Sequence, residues 1–111
     1  MPVHTLLFGF ALALGAAPEL WQMAPADVGA YLADLHAAHA ACEDRLAQVV
    51  RDSAGTPYAP GPLGEGPAGQ YDTDPLMDLG RADCVTFIEQ VAALAASRTY
   101  DEAHDLLQRI R

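Results

Sequence analysis

The sequence predicts a mainly α protein in which helices flank one long irregular loop. Three observations carry this reading. Apolar residues recur at helical spacing in an alanine-rich stretch from Ala26 to Asp52, and again from Cys84 to Ala95. Between them, Ser53 to Gly80 holds five prolines and six glycines, which exclude regular helix and discourage strands. Hydrophobic residues make up 51% of the chain, at the upper edge of the roughly 45–50% typical of soluble domains, which argues against wholesale disorder. The 111 residues leave room for one domain.

The elements follow in order. Thr5–Ala17 (TLLFGFALALGAA) is an uncharged apolar run with the length of the hydrophobic region of an export signal. It is too short to cross a bilayer, which takes about 20 such residues, and Pro18-Glu19 interrupt it. Cleavage is expected after Ala17 or, through the small-x-small triplet Ala24-Pro25-Ala26, after Ala26. The proline directly after Ala17 favours a site nearer Ala24 or Ala26. Residues 1–24 are therefore assigned to the signal and 25–111 to the mature domain, a buried N-terminal helix being the alternative. Cys42 lies too far beyond the apolar run to carry a lipid anchor.

Ala26–Asp52 reads as one long helix or two joined near Ala41. Val28, Leu32 and Leu35 face inward, and Leu46, Val49 and Val50 repeat the pattern. A loop as long as 53–80 is uncommon inside a compact domain and points to function or disorder. It is not a phosphate cradle, because Gly64-Glu65-Gly66 has no preceding strand and no following Lys-Ser/Thr. Asp83 is a natural N-cap for a helix over 84–96. Cys84, Phe87, Ile88, Val91 and Ala95 give that helix an apolar face, widened by Val85, Ala92 and Leu94, so it is expected to be central and largely buried. Thr99 and Glu102 have capping-box spacing for a last helix, 100–111, with Ala103, Leu106, Leu107 and Ile110 on one side.

Charge narrows the partners. Fifteen acidic residues face six arginines and no lysine, for a net charge of -9 and a pI near 4.5. Such a chain lacks the basic footprint that neutralises phosphates, so nucleic acid and anionic membrane surfaces are not expected partners. Two cysteines cannot build a tetrathiolate zinc site or a multi-disulfide scaffold.

Cys84 is the residue with chemistry. A cysteine in the first turn of a helix meets free N–H groups and the positive end of the macrodipole, both of which favour thiolate. The negative charge of Asp83 works against it, so an effective nucleophile needs a further partner, normally a histidine. Packing as a small apolar residue is the competing reading, for Cys84 and more strongly for Cys42 inside its alanine-rich helix. In an exported chain a Cys42–Cys84 disulfide is a third.

A wider pattern favours the nucleophile. Gly55-Thr56-Pro57-Tyr58, the Gly/Pro loop, Asp74-Pro75-Leu76 and Asp83-Cys84-Val85-Thr86-Phe87-Ile88-Glu89 together resemble the bacterial N-acetylmuramoyl-L-alanine amidase-like family. The likeness continues through Ala93-Leu94-Ala95 to Leu106-Leu107-Gln108-Arg109-Ile110-Arg111 and covers roughly the last sixty residues. It implies kinship with NlpC-type cysteine peptidases of papain-like α+β fold, of which this chain holds the N-terminal helical portion without the sheet. It further implies that Cys84 attacks an amide carbonyl in peptidoglycan peptide, that the Tyr58 hydroxyl supports the oxyanion, and that Asp83 lines the substrate pocket besides capping its helix. Thr86 and Glu89 position the helix.

One departure is severe. The family takes its histidine base from sheet sequence downstream, and none of His4, His36, His39 and His104 matches that position. His36, His39 and Cys42 lie three apart on one helical arc, a weak metal candidate without supporting ligands. No metal or cofactor is expected. The resulting expectation is a truncated, exported amidase-like protein with little or no activity as this chain. The rivals are a small exported helical binding protein and a disulfide-linked redox module.

Overall fold

The computed structural model describes residues 18–111. The apolar run Thr5–Ala17, read above as an export signal, lies outside them. A 3-10 turn at Leu20–Gln22 leads into helices α1 (Pro25–Ala38), α2 (Cys42–Asp52), α3 (Cys84–Ala95) and α4 (Tyr100–Ile110). The described residues are thus mainly α, as the sequence predicts, with no strand beyond one isolated bridge between Tyr58 and Ala82.

Ala26–Asp52 resolves into two helices. His39 leaves the helical region (φ -134, ψ 109) and caps α1, and α2 restarts after Ala41. Alanine-rich sequence does not demand a break here. Arg45 supplies the reason: its guanidinium donates to the carbonyls of His39 and Ala40 at 3.1 and 2.8 Å and to Ala95 O at 2.9 Å. Orphan carbonyls at the ends of α1 and α3 are thereby satisfied by one side chain. The break lets α2 fold back, so that α3 packs between α2 and α4 while α1 packs on α4 and α2. Tyr31 in α1 closes the pair, its hydroxyl donating to Asp52 Oδ2 at 2.7 Å.

The core is built from Val28, Leu32 and Leu35 of α1, Val49 of α2, Val91, Ala93, Leu94 and Ala95 of α3, and Ala103 and Leu107 of α4, joined by Leu20, Leu63 and Met77 from outside the helices. Two expected faces are corrected. On α2 only Val49 is buried, whereas Leu46 and Val50 are exposed, because neighbours cover a single narrow side of this helix. On α3 the buried stripe is Thr86, Gln90, Val91, Ala93, Leu94 and Ala95. Cys84, Val85 and Ile88, expected inside, are exposed. The polar members of that stripe are spent on the loop and on the helix's own cap, which leaves Cys84, Val85 and Ile88 turned outward. Gln90 Oε1 accepts the Asp78 N–H at 2.9 Å, and Thr86 bonds Asp83.

Loop 53–80 is ordered by its own backbone. Gly64, Glu65 and Gly66 donate to Pro75 O, Asp72 O and Asp74 O at 3.0, 3.1 and 2.7 Å, folding the segment back on itself. Gly66 sits at φ 86, the left-handed region that a side chain strains to enter, with Leu76 packed close to it. From outside, Arg111 holds Gly64 O and Leu76 O at 3.1 and 3.3 Å, and Gln108 donates to Leu76 O at 2.9 Å. The cap of α4 differs slightly from the expected box. Thr99 Oγ1 accepts the Glu102 N–H at 3.1 Å, but Glu102 reaches one residue further back, to Arg98 N–H at 2.8 Å.

Candidate active site

Cys84 is the first residue of α3 and its thiol is exposed and free. Its placement follows from Asp83. The Asp83 carboxylate accepts the Thr86 N–H at 2.8 Å through Oδ1, while Thr86 Oγ1 accepts the Asp83 N–H at 2.9 Å, a reciprocal capping box. The other carboxylate oxygen, Oδ2, accepts the Gly61 N–H at 3.0 Å. One side chain therefore fixes both the helix start and the loop. These donors, Thr86 N–H foremost and then Gly61 N–H, hold the Asp83 carboxyl below the usual carboxylate range, so it stays anionic beside Cys84 at neutral pH.

Tyr58 arrives by backbone pairing. Ala59 N–H donates to Ala82 O at 3.1 Å and Ala82 N–H to Pro57 O at 3.0 Å, flanking Tyr58 on both sides. This sets Tyr58 against the residue two before Cys84, with its side chain 75% exposed. Thr56, Tyr58, Ala82, Asp83, Cys84, Phe87 and Ile88 line one open groove of about 440 Å³. The three residues singled out from sequence, Cys84, Tyr58 and Asp83, thus share a groove. Sequence reasoning missed Phe87 and Ile88 as parts of it, and Gly61 as the backbone donor that anchors Asp83 beside it. Phe87 and Ile88 were read as core from their spacing, and no local signal marks Gly61. Behind the groove, Trp21, Ser53, Thr56, Phe87 and Gln90 help line a cavity of about 20 Å³.

Among the described residues no histidine lines the groove. His36 Nε2 lies 2.9 Å from Ser97 O, beyond the opposite end of α3. His39 caps α1. His104 sits in α4 beside Asp105, at 3.5 Å. The arc drawn through His36, His39 and Cys42 does not exist, because the helix breaks at His39 and Cys42 opens the next one, exposed rather than packed. Among the described residues no three His, Cys, Asp or Glu side chains are grouped to hold a metal. The two thiols are free, so the Cys42–Cys84 disulfide considered above is not formed.

A family model described as N-acetylmuramoyl-L-alanine amidase-like matches residues 48–111, more than half the chain. The chain belongs to the N-acetylmuramoyl-L-alanine amidase-like family. No curated protein and no solved structure gives a significant match. The matched span of this amidase-like chain contains every residue lining the groove, together with α3 and α4. Among its described residues no helix is long and apolar enough to cross a membrane.

Proposed function

We propose that this chain is the nucleophile-bearing part of an exported, thiol-dependent hydrolase, of NlpC-type papain-like kinship, acting on an amide bond of peptidoglycan peptide. The observation that carries the reading is an exposed cysteine at the start of a capped helix, sharing an open groove with Tyr58 inside the matched family span. In the reaction the Cys84 thiolate attacks the amide carbonyl carbon and forms a tetrahedral oxyanion. Collapse breaks the C–N bond, the amine leaves with a proton, and a thioester remains. Water then attacks the thioester, releasing the carboxylic acid and regenerating the thiol. Helix N–H groups and the Tyr58 hydroxyl face the oxyanion, and the open, mostly apolar groove receives the peptide.

Both proton transfers need a base near Cys84. His36, His39 and His104 lie on other surfaces. The described residues alone therefore bind peptide and turn it over little or not at all.

Alkylation with muropeptide present tests the reading, with exposed Cys42 as the internal control. Muropeptide is expected to slow modification of Cys84 and leave Cys42 unchanged. Equal rates with and without muropeptide overturn groove binding. Amide cleavage by the purified chain that disappears in Cys84→Ala overturns the inactivity. The second reading, binding without catalysis anywhere, is favoured by the exposed large apolar side chains Tyr58, Val85 and Ile88. It predicts protection of Cys84 and acylation of Cys84 by an activated acyl donor no faster than that of exposed Cys42.

A further inference from the structure

We propose that proteolytic removal of the N-terminal apolar segment ends at or before the Ala17–Pro18 bond, leaving Leu20 and Trp21 as permanent parts of the folded domain. The proposal rests on the export reading above and moves the processing point upstream of the Ala24-Pro25-Ala26 triplet, which sequence rules alone prefer. Leu20 is 3% exposed and belongs to the same core as the helices. Cutting after Ala24 or Ala26 would strip an apolar side chain from a finished core and leave its neighbours facing a void.

Trp21 gives the segment its functional weight. Its indole Nε1 is buried, and the ring lines the small cavity together with Ser53, Thr56, Phe87 and Gln90. Thr56 and Phe87 present their other sides to the Cys84 groove. The turn around Leu20–Gln22 is thus the backing of the groove floor.

The turn is closed locally by Glu19 N–H donating to Gln22 Oε1 at 3.0 Å and Gln22 N–H donating to Glu19 O at 2.9 Å. Ala24 O accepts the Asp27 and Val28 N–H groups at 3.0 and 3.1 Å, so the triplet is the first turn of α1. A cut after Ala26 would remove that turn. Pro18 and Glu19 are exposed, so a chain starting there loses none of this packing.

Trp21 is the sole tryptophan, so the full chain reports its own processing. Expressed in a secreting bacterial host and recovered outside the cytoplasm, the protein is expected to have an intact mass that places its first residue no later than Pro18. Tryptophan emission is expected to be blue-shifted in buffer and to move to the red in denaturant. Exported protein starting at Pro25 or Asp27, without tryptophan emission, overturns the proposal and leaves export standing. Full-length chain confined to the cytoplasm overturns the export reading and the proposal with it. Retained tryptophan with fully solvated emission in buffer overturns the packing. Leu20→Asp in the full chain is expected to shift the emission to the red; unchanged emission counts against the proposal equally.

Discussion

Asp83 shows how much one side chain decides at the residue scale. Its two carboxylate oxygens serve different segments, Oδ1 the start of α3 and Oδ2 the loop at Gly61. Because hydrogen bonding lowers its pKa from the ordinary 3.8, its stabilising contribution is complete above that value. It is lost as pH falls through the lower, folded-state value. Asp83→Asn is expected to flatten the acid side of the stability profile, read by denaturant titration at several pH values. The capping role of Asp83 was legible from sequence because Asp before a helical run is a local signal. The bond to Gly61, twenty-two residues away, was not.

At the scale of elements, the break between α1 and α2 depends on Arg45, whose guanidinium bridges the ends of α1 and α3. Arg45→Met keeps the stem and removes the donors, leaving partly buried carbonyls unpaired. The expected cost is about 2–3 kcal/mol in denaturant unfolding. Tyr31→Phe deletes the hydrogen bond that holds α1 to the end of α2, with an expected loss of about 1–2 kcal/mol. The sign of its pH dependence is opposite to that of Asp83. Burial first, and the Asp52 hydrogen bond second, push the Tyr31 hydroxyl well above its ordinary 10.0. The unfolded chain therefore ionises first, and stability falls as pH rises past about 10. Tyr31→Phe is expected to make that alkaline fall shallower. Periodicity located α1, α3 and α4, but it placed Leu46, Val50 and Ile88 inside. Apolar spacing says that a face exists and cannot say which neighbours cover it.

For the whole molecule, a small core leaves little reserve. Leu32 is fully buried where α1 meets the other helices, and Leu32→Ala is expected to cost about 2–5 kcal/mol. Loss of the cooperative thermal transition checks this; an unchanged transition would mean that the helices do not depend on one another. The loop belongs to this scale as well. Its prolines and glycines predicted irregularity, yet tertiary bonds from Asp83, Gln90, Gln108 and Arg111 hold it in one conformation.

The sequence by itself determined the helices, the caps at Asp83 and Thr99, the acidic balance and the cysteine at a helix start. Each of these is a local property, set by side chains within about one turn of each other or by composition. Tertiary structure alone decided that Tyr58 meets the start of α3, that Arg45 divides one helical run into two, and that Trp21 backs the groove. These join residues tens of positions apart, and only packing determines which of the many equivalent apolar and polar groups come together.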